Sequence, residues 1–258
     1  MWDTFIIEPF ANVLLKIYLL VGSNFGVAII LFTILIRLAT YPLTAQQLKG
    51  AQGMQELQKD PRYQAMQKKH KGDKEKLAQE QMKLYKELGI NPLSSCLPTL
   101  IQFPVIIGLY QSLIRSLATS PIQLLELSKL IYPTFLDFSA LVPLNSQFLW
   151  MDLGQPERLF IPGLEFGIPI LAVVVVVTTY LQSKMMAPAS TPGQSGDQGA
   201  QMQKMMQIYM PFLMGYLALT FASGLSLYFV TSNLAGIAQY GLMGRLDWRN
   251  LIPGSKAA

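Results

Sequence analysis

Apolar runs long enough to cross a bilayer alternate with polar stretches along this chain. A helix that spans the hydrocarbon core takes about 20 mostly apolar residues. Five stretches have that character, over 24–43, 93–118, 164–186, 205–222 and 224–243. Only Ser223 and Gly224 part the last two, which predicts a tight hairpin between them. Residues 1–23 repeat apolar positions at helical spacing in FIIEPFANVLLKIYLL, which fits an amphipathic helix in the membrane interface and a packed helix equally well. Residues 44–92 read as a helical hairpin. Leu77, Gln81, Leu84, Tyr85 and Leu88 form a mostly apolar stripe near helical period, and HKGDKEK supplies a polar turn at Gly72–Asp73. Gly89 and the pair Asn91–Pro92 stop its second helix. The remaining connections are 119–163, a flexible loop over 187–204 containing APASTPGQSGDQG, and a tail over 244–258.

Composition supports the membrane reading. The 258 residues are 51% hydrophobic and 14% charged, against about 25% charged in soluble domains. Positive charge then orients the spans, because cytoplasmic loops carry the excess of Lys and Arg. Residues 44–91 hold ten Lys or Arg beside six acids, whereas 119–163 hold only Lys129 and Arg158. Lys184, Lys204, Arg245, Arg249 and Lys256 flank the third span, the fourth span and the tail. With five spans, one arrangement fits: N-terminus outside, hairpin, loop 187–204 and tail in the cytoplasm. Asp3, Glu8 and Lys16 interrupt any cleavable signal peptide. A single cysteine, Cys96, excludes an internal disulfide framework.

Arg37 is the one charge within the first span. A charge at the centre of a membrane helix costs about 2.5–3.5 kcal/mol on insertion scales. Two readings fit it. Arg37 can snorkel, since the span ends at Leu43, although helical Cα–Cβ bonds tilt toward the N-terminus, here the outer side. Alternatively it serves function. Thr33, Arg37, Thr40, Tyr41 and Thr44 share one helical stripe, and Glu165, at the outer edge of the third span, is the only acid in any span. Other spans carry polar residues toward the same end: Ser94, Ser95, Thr99 and Gln102; Thr178, Thr179, Gln182 and Ser183; Thr231, Ser232, Asn233 and Gln239. Polar side chains at membrane depth face a bundle interior or a water-filled cavity. Convergence of these stripes would enclose a hydrophilic groove open to the cytosol and closed outside. The expected fold is therefore an all-α integral membrane protein, five transmembrane helices around that groove, with a cytoplasmic helical hairpin.

The same residues bear on rival functions. HExxH, GxSxG and paired intramembrane acids are absent from the sequence, and the one histidine, His70, sits in the basic hairpin. No catalytic residue, metal site or cofactor is expected, and no enzyme. A small-solute transporter would need a polar path through the outer halves, which are largely apolar. A chaperone or assembly scaffold for membrane-protein complexes is the stronger alternative. Met185, Met186, Met202, Met205, Met206, Met210 and Met214 cluster near the cytoplasmic loop, as packing residues or as a surface for promiscuous apolar contacts.

FTILIRLATYPLT, MQELQ, EQMKLYKELGINPLSSCLPTLIQFPVIIGLYQSL, YMPFLMG and SGLSLYFVTSNL follow one another between about Phe25 and Met243. In that order and spacing they resemble the YidC/Oxa/Alb membrane-protein insertase family, bacterial YidC-like. The resemblance implies a five-helix core in the bacterial plasma (inner) membrane and a cytosol-open groove with an arginine, here Arg37, in its first core helix. It implies that Thr33 and Tyr228 contact substrate. Phe229 stands where the family often has an aromatic with a polar edge, and the tail is short for ribosome docking. Nascent membrane proteins and the lipid bilayer are the implied partners, with the ribosome and the Sec translocon as further ones, and no small-molecule substrate. The expected groove set is Arg37, Thr33, Gln102, Tyr228, Ser232, Asn233, Thr40 and Gln182.

Overall fold

The computed structural model describes residues 2–45, 60–70, 74–88, 97–117, 121–141, 144–159, 167–185 and 198–244. The expected turn at Gly72–Asp73, the helix stop at 89–92, Cys96, Glu165 and most of the loop over 187–204 lie outside these residues. The chain divides into two compact units, one of Met1–Leu38, Pro104–Ala187 and Met206–Ala258, the other of Ala39–Phe103 and Pro188–Met205. Among the described residues the helices are α1 (Glu8–Leu20), α2 (Phe25–Ala39), α3 (Pro61–Lys69), α4 (Lys74–Glu87), α5 (Leu97–Ser116), α6 (Pro121–Leu130), α7 (Ile170–Met185), α8 (Gln198–Thr220) and α9 (Ser223–Leu242).

The all-α expectation needs one amendment. A two-stranded antiparallel sheet, β1 (Gln147–Phe148) and β2 (Met151–Asp152), pairs Gln147 with Asp152 and Phe148 with Met151. Leu159 and Ile168 form a further bridge ahead of α7. That bridge and Pro169 hold the chain extended, so α7 starts at Ile170 although apolar sequence begins near 164. Conversely, α8 starts at Gln198, inside the segment read as a flexible loop. Apart from Gly199, its first turns consist of Gln, Ala, Met and Lys, all good helix formers.

α1 packs one face against the rest of the first unit. Ile7, Ala11, Leu14, Leu15 and Tyr18 are buried. Asn12 is buried with them and fully bonded. Its Nδ2 donates to the carbonyls of Glu8 (2.7 Å) and Leu130 (2.8 Å), and its Oδ1 accepts from the Tyr132 amide at 2.8 Å. A buried amide without these partners would cost about 1–3 kcal/mol; with them it ties α1 to the end of α6. Gly22 and Ser23, both at positive φ, reverse the chain. Asn24 Oδ1 then accepts from the Val27 amide at 3.0 Å, capping the start of α2.

α2 buries Phe25, Ala28, Ile29, Phe32 and Thr33 and exposes Leu31, Ile34, Leu35 and Leu38. α9 is buried on every side from Ser223 to Phe229, as befits a central helix, and packs along α7. The segment around β2 closes the ends of both. Ser223 and Gly224 amides donate to the carbonyls of Gln155 (2.8 Å) and Leu153 (3.1 Å), and Ser223 Oγ donates to the Asp152 carbonyl at 2.7 Å. These bonds satisfy amides that a helix start leaves without intrahelical partners. The buried Glu157 carboxylate accepts from the Leu171 amide in the first turn of α7 at 3.1 Å, where the helix dipole favours an anion. Phe148 lies over Gly26, where any Cβ would collide with its ring.

In the second unit, Asp60 caps α3 by accepting from the Arg62 amide at 2.8 Å, with Pro61 opening the helix. Tyr63 and Met66 of α3 bury against Leu84, with Leu77 and Tyr85 packed alongside. Gln81 Nε2 donates to Tyr63 Oη at 2.5 Å. Among the described residues no helix is long and apolar enough to cross a membrane. α2 and α7 have 15 and 16 residues, about 22–24 Å at 1.5 Å each. α9 is longer but carries Ser226, Thr231, Ser232, Asn233 and Gln239.

Candidate functional site

Three helices of the first unit, α2, α7 and α9, meet in a polar layer. Arg37 lies in the last turn of α2, where a cation complements the helix dipole. Its Nε (3.0 Å) and Nη2 (2.7 Å) both donate to Ser232 Oγ on α9. Two turns further along α9, Gln239 Nε2 donates to the Arg37 carbonyl at 3.0 Å. Gln239 thus supplies a side-chain donor to a carbonyl in the last turn of α2, where helix carbonyls run out of intrahelical partners. Gln239 Oε1 is buried and has no hydrogen-bond partner among the described residues. The phenols of Tyr228 and Tyr240 lie near the guanidinium.

The α7 side of the layer is neutral. Asn233 Nδ2 donates to Thr178 Oγ1 (3.1 Å) and Thr179 Oγ1 (2.8 Å). Thr178 Oγ1 in turn donates back to the Val174 carbonyl at 2.8 Å. One turn along α7, the Gln182 amide lies against Gly236. A Cβ at 236 would strike Gln182 Nε2 and sit 3.6 Å from Arg37 Nη1. Gly236 is thus the notch in α9 that admits both side chains. Sequence reasoning passed over it, although a glycine inside an apolar helix is itself a signal of close approach.

The structure brings together Arg37, Ser232, Asn233 and Gln182 of the expected set. Thr33 and Tyr228 sit one turn away on the same faces of α2 and α9, but both are fully buried. Thr33 Oγ1 donates to its own helix at the Ile29 carbonyl, 2.6 Å away. Thr40 belongs to the second unit, where its carbonyl accepts from Thr44 Oγ1 at 3.1 Å. Gln102 lies on α5, and its side chain is outside the described ones. Thr178, Thr179, Gln239 and Gly236 join the site. Among the described residues no His, Cys, Asp and Glu gather as a metal-holding group.

Such an arrangement offers a cation and several hydrogen-bonding groups but no nucleophile paired with a base. Chemically it can attract an anion and solvate a polar chain.

Residues 16–247 match the family described as 60Kd inner membrane protein. The membrane protein insertase MisCA of Bacillus subtilis (strain 168) is 34% identical over 92% of this chain and 77% of its own. A membrane protein insertase YidC of Clostridium perfringens is 36% identical over 85% of this chain and 78% of its own. The fold is similar to a crystal structure of active YidC insertase with its first transmembrane domain resolved. The TM-score is 0.51 at 26% identity, covering 86% of this chain and 42% of that one.

Proposed function

Because the chain belongs to the 60Kd inner membrane protein family, we propose that it is a membrane protein insertase working through the polar layer around Arg37. α2, α5, α7, α8 and α9, with the residues flanking them, cross the bilayer, N-terminus outside and C-terminus in the cytoplasm. Support comes from the inside-out pattern of the first unit. Leu31, Leu35 and Leu38 of α2, Val173 and Val177 of α7, and Ile208, Phe212 and Leu219 of α8 are exposed, while Ser232, Asn233 and Thr178 are buried. Contiguous exposed apolar surface of this kind marks contact with lipid or protein. The polar layer also explains why hydropathy understates the spans, since the residues that lower it face inward.

The observation that carries the mechanism is Arg37 held at Ser232. The Ser232 hydroxyl is one of its hydrogen-bond partners, and the apolar stretches of the sequence hold no acid but Glu165. In this reading the positive charge of Arg37 acts on cargo by long-range attraction. A short hydrophilic tail, acidic ones most strongly, enters from the cytosol, is attracted to Arg37, and exchanges water for the Ser, Thr, Asn and Gln groups of the layer. The apolar helix of the cargo then passes into lipid, and its burial drives the step at about 25 cal/mol per Å² of apolar surface. The work is binding and release, without covalent chemistry.

Site-specific photocrosslinking to stalled nascent membrane proteins tests the reading. Crosslinkers at Thr33, Gln182 and Tyr228 should capture the nascent chain, and one at exposed Phe5 on the N-terminal segment should not. Capture only of fully assembled membrane complexes would favour the assembly-scaffold function instead.

A further inference from the structure

Most of the exposed large apolar side chains among the described residues belong to helices; the tip of the β1–β2 hairpin is an exception. The tip of the β1–β2 hairpin consists of Leu149 and Trp150. Leu149 is 73% exposed and Trp150 50%. Leu149 holds φ at 54°, the left-handed region. Two-residue hairpin turns favour glycine or asparagine there, because a Cβ crowds the carbonyl. A leucine in that position, turned outward, gains nothing for the fold.

Trp150 adds a second observation. Its Nε1 donates to Glu157 Oε1 at 2.9 Å, and Glu157 Oε2 accepts from the Leu171 amide at 3.1 Å. One buried carboxylate thus locks the indole to the first turn of α7. The polar edge of the ring is satisfied from inside the protein, so its apolar face can leave water with no donor stranded. Through Glu157 the ring is tied to the start of α7, the helix that carries the exposed Val173 and Val177.

We infer that the hairpin tip is a membrane wedge: Leu149 and Trp150 insert into the head-group and acyl boundary of the outer leaflet and fix the depth of α7. The occupant is lipid rather than a partner protein because Glu157 ties the tip to the first turn of α7, and the exposed Val173 and Val177 of that helix face the bilayer in the spanning arrangement. The inference rests on the spanning arrangement proposed above. Tryptophan suits such a boundary, being apolar over most of its surface with one polar edge.

Fluorescence in reconstituted vesicles tests it. Trp2→Phe with Trp248→Phe leaves Trp150 as the only indole. In phosphatidylcholine vesicles its emission should be blue-shifted, strongly quenched by lipids brominated near the head of the acyl chain, less by those brominated near its end, and resistant to iodide. Adding Leu149→Asp should red-shift the emission and admit iodide. A control with Trp150→Phe and Val177→Trp in the same background reports on α7 itself. If that control is quenched by brominated lipid and Trp150 is not, the wedge is wrong. If neither is quenched, the spanning arrangement fails first. Iodide quenching of Trp150 unaltered by Leu149→Asp would overturn the wedge as well.

Discussion

Arg37 sets a charge in the last turn of α2, hydrogen-bonded to Ser232. If it attracts cargo, Arg37→Lys should retain most insertion, because the charge remains although the planar fork is lost. Arg37→Ala should impair acidic tails most and neutral tails least, and Arg37→Glu should be worse than alanine for acidic tails through repulsion in a poorly screened site. Insertion of acidic, neutral and basic tails into vesicles checks this; an equal loss for every tail would reduce Arg37 to packing or hydration. Gly236 makes a different prediction. Gly236→Ala forces a Cβ onto the Gln182 amide, the end of a flexible side chain that can swing aside, so it should cost less than overpacking a rigid core. Unfolding in mixed detergent micelles should show little loss, with insertion reduced because Gln182 is displaced from the polar layer; insertion at the wild-type level would remove Gln182 and Gly236 from the site. Arg37, Ser232 and Asn233 were legible in the sequence as polar residues at one end of apolar runs. That Ser232 is the arginine's hydroxyl partner was not, because two residues 195 positions apart become neighbours only through the packing of α2 on α9.

At the scale of elements, the seam between α7 and α9 depends on Asn233. Removing its two hydrogen bonds by Asn233→Ala should cost about 1 kcal/mol, since such bonds average about 0.6 kcal/mol in membrane bundles. A detergent-unfolding midpoint unchanged by the substitution would show the seam to be apolar packing alone. The start of α3 should respond to pH. The Arg62 side chain, then its amide, hydrogen-bonds to the Asp60 carboxylate and holds its pKa below the ordinary carboxylate value. A group whose folded pKa is lowered contributes stability that is complete above its unfolded pKa and lost as pH falls through the folded one. Carbonyl-carbon NMR should show Asp60 titrating below a peptide aspartate, with the first turn of α3 fraying over the same range. Titration at the peptide value would remove the effect. The apolar stripe of α4 was readable in advance at Leu77, Leu84 and Tyr85. Its partners Tyr63 and Met66 on α3 were not, because so short a helix offers too few repeats for a face to stand out.

At the scale of the whole molecule, the charge asymmetry between 44–91 and 119–163 predicts opposite sides of the membrane. In a Cys96→Ser background, a cysteine at exposed Lys83 of α4 should react with membrane-impermeant maleimide only when the cytoplasmic face is open. One at exposed Ile122 of α6 should react from outside. The reverse pattern would invert the topology. Sequence alone established the helical class, the apolar runs, the basic hairpin and the family resemblance. All of these are written in local composition and periodicity, which survive in the unfolded chain. Only tertiary structure decided what Arg37 touches, that Gly236 makes room for it, and that α1 packs through Asn12. It alone disclosed the cap over the starts of α7 and α9, built by Glu157 and the β1–β2 hairpin. Periodicity says which face of a helix is apolar or polar, but not which other face it meets. In a connection such as 119–163, with no period to read, each contact exists only once the distant backbone that completes its hydrogen bonds is in place.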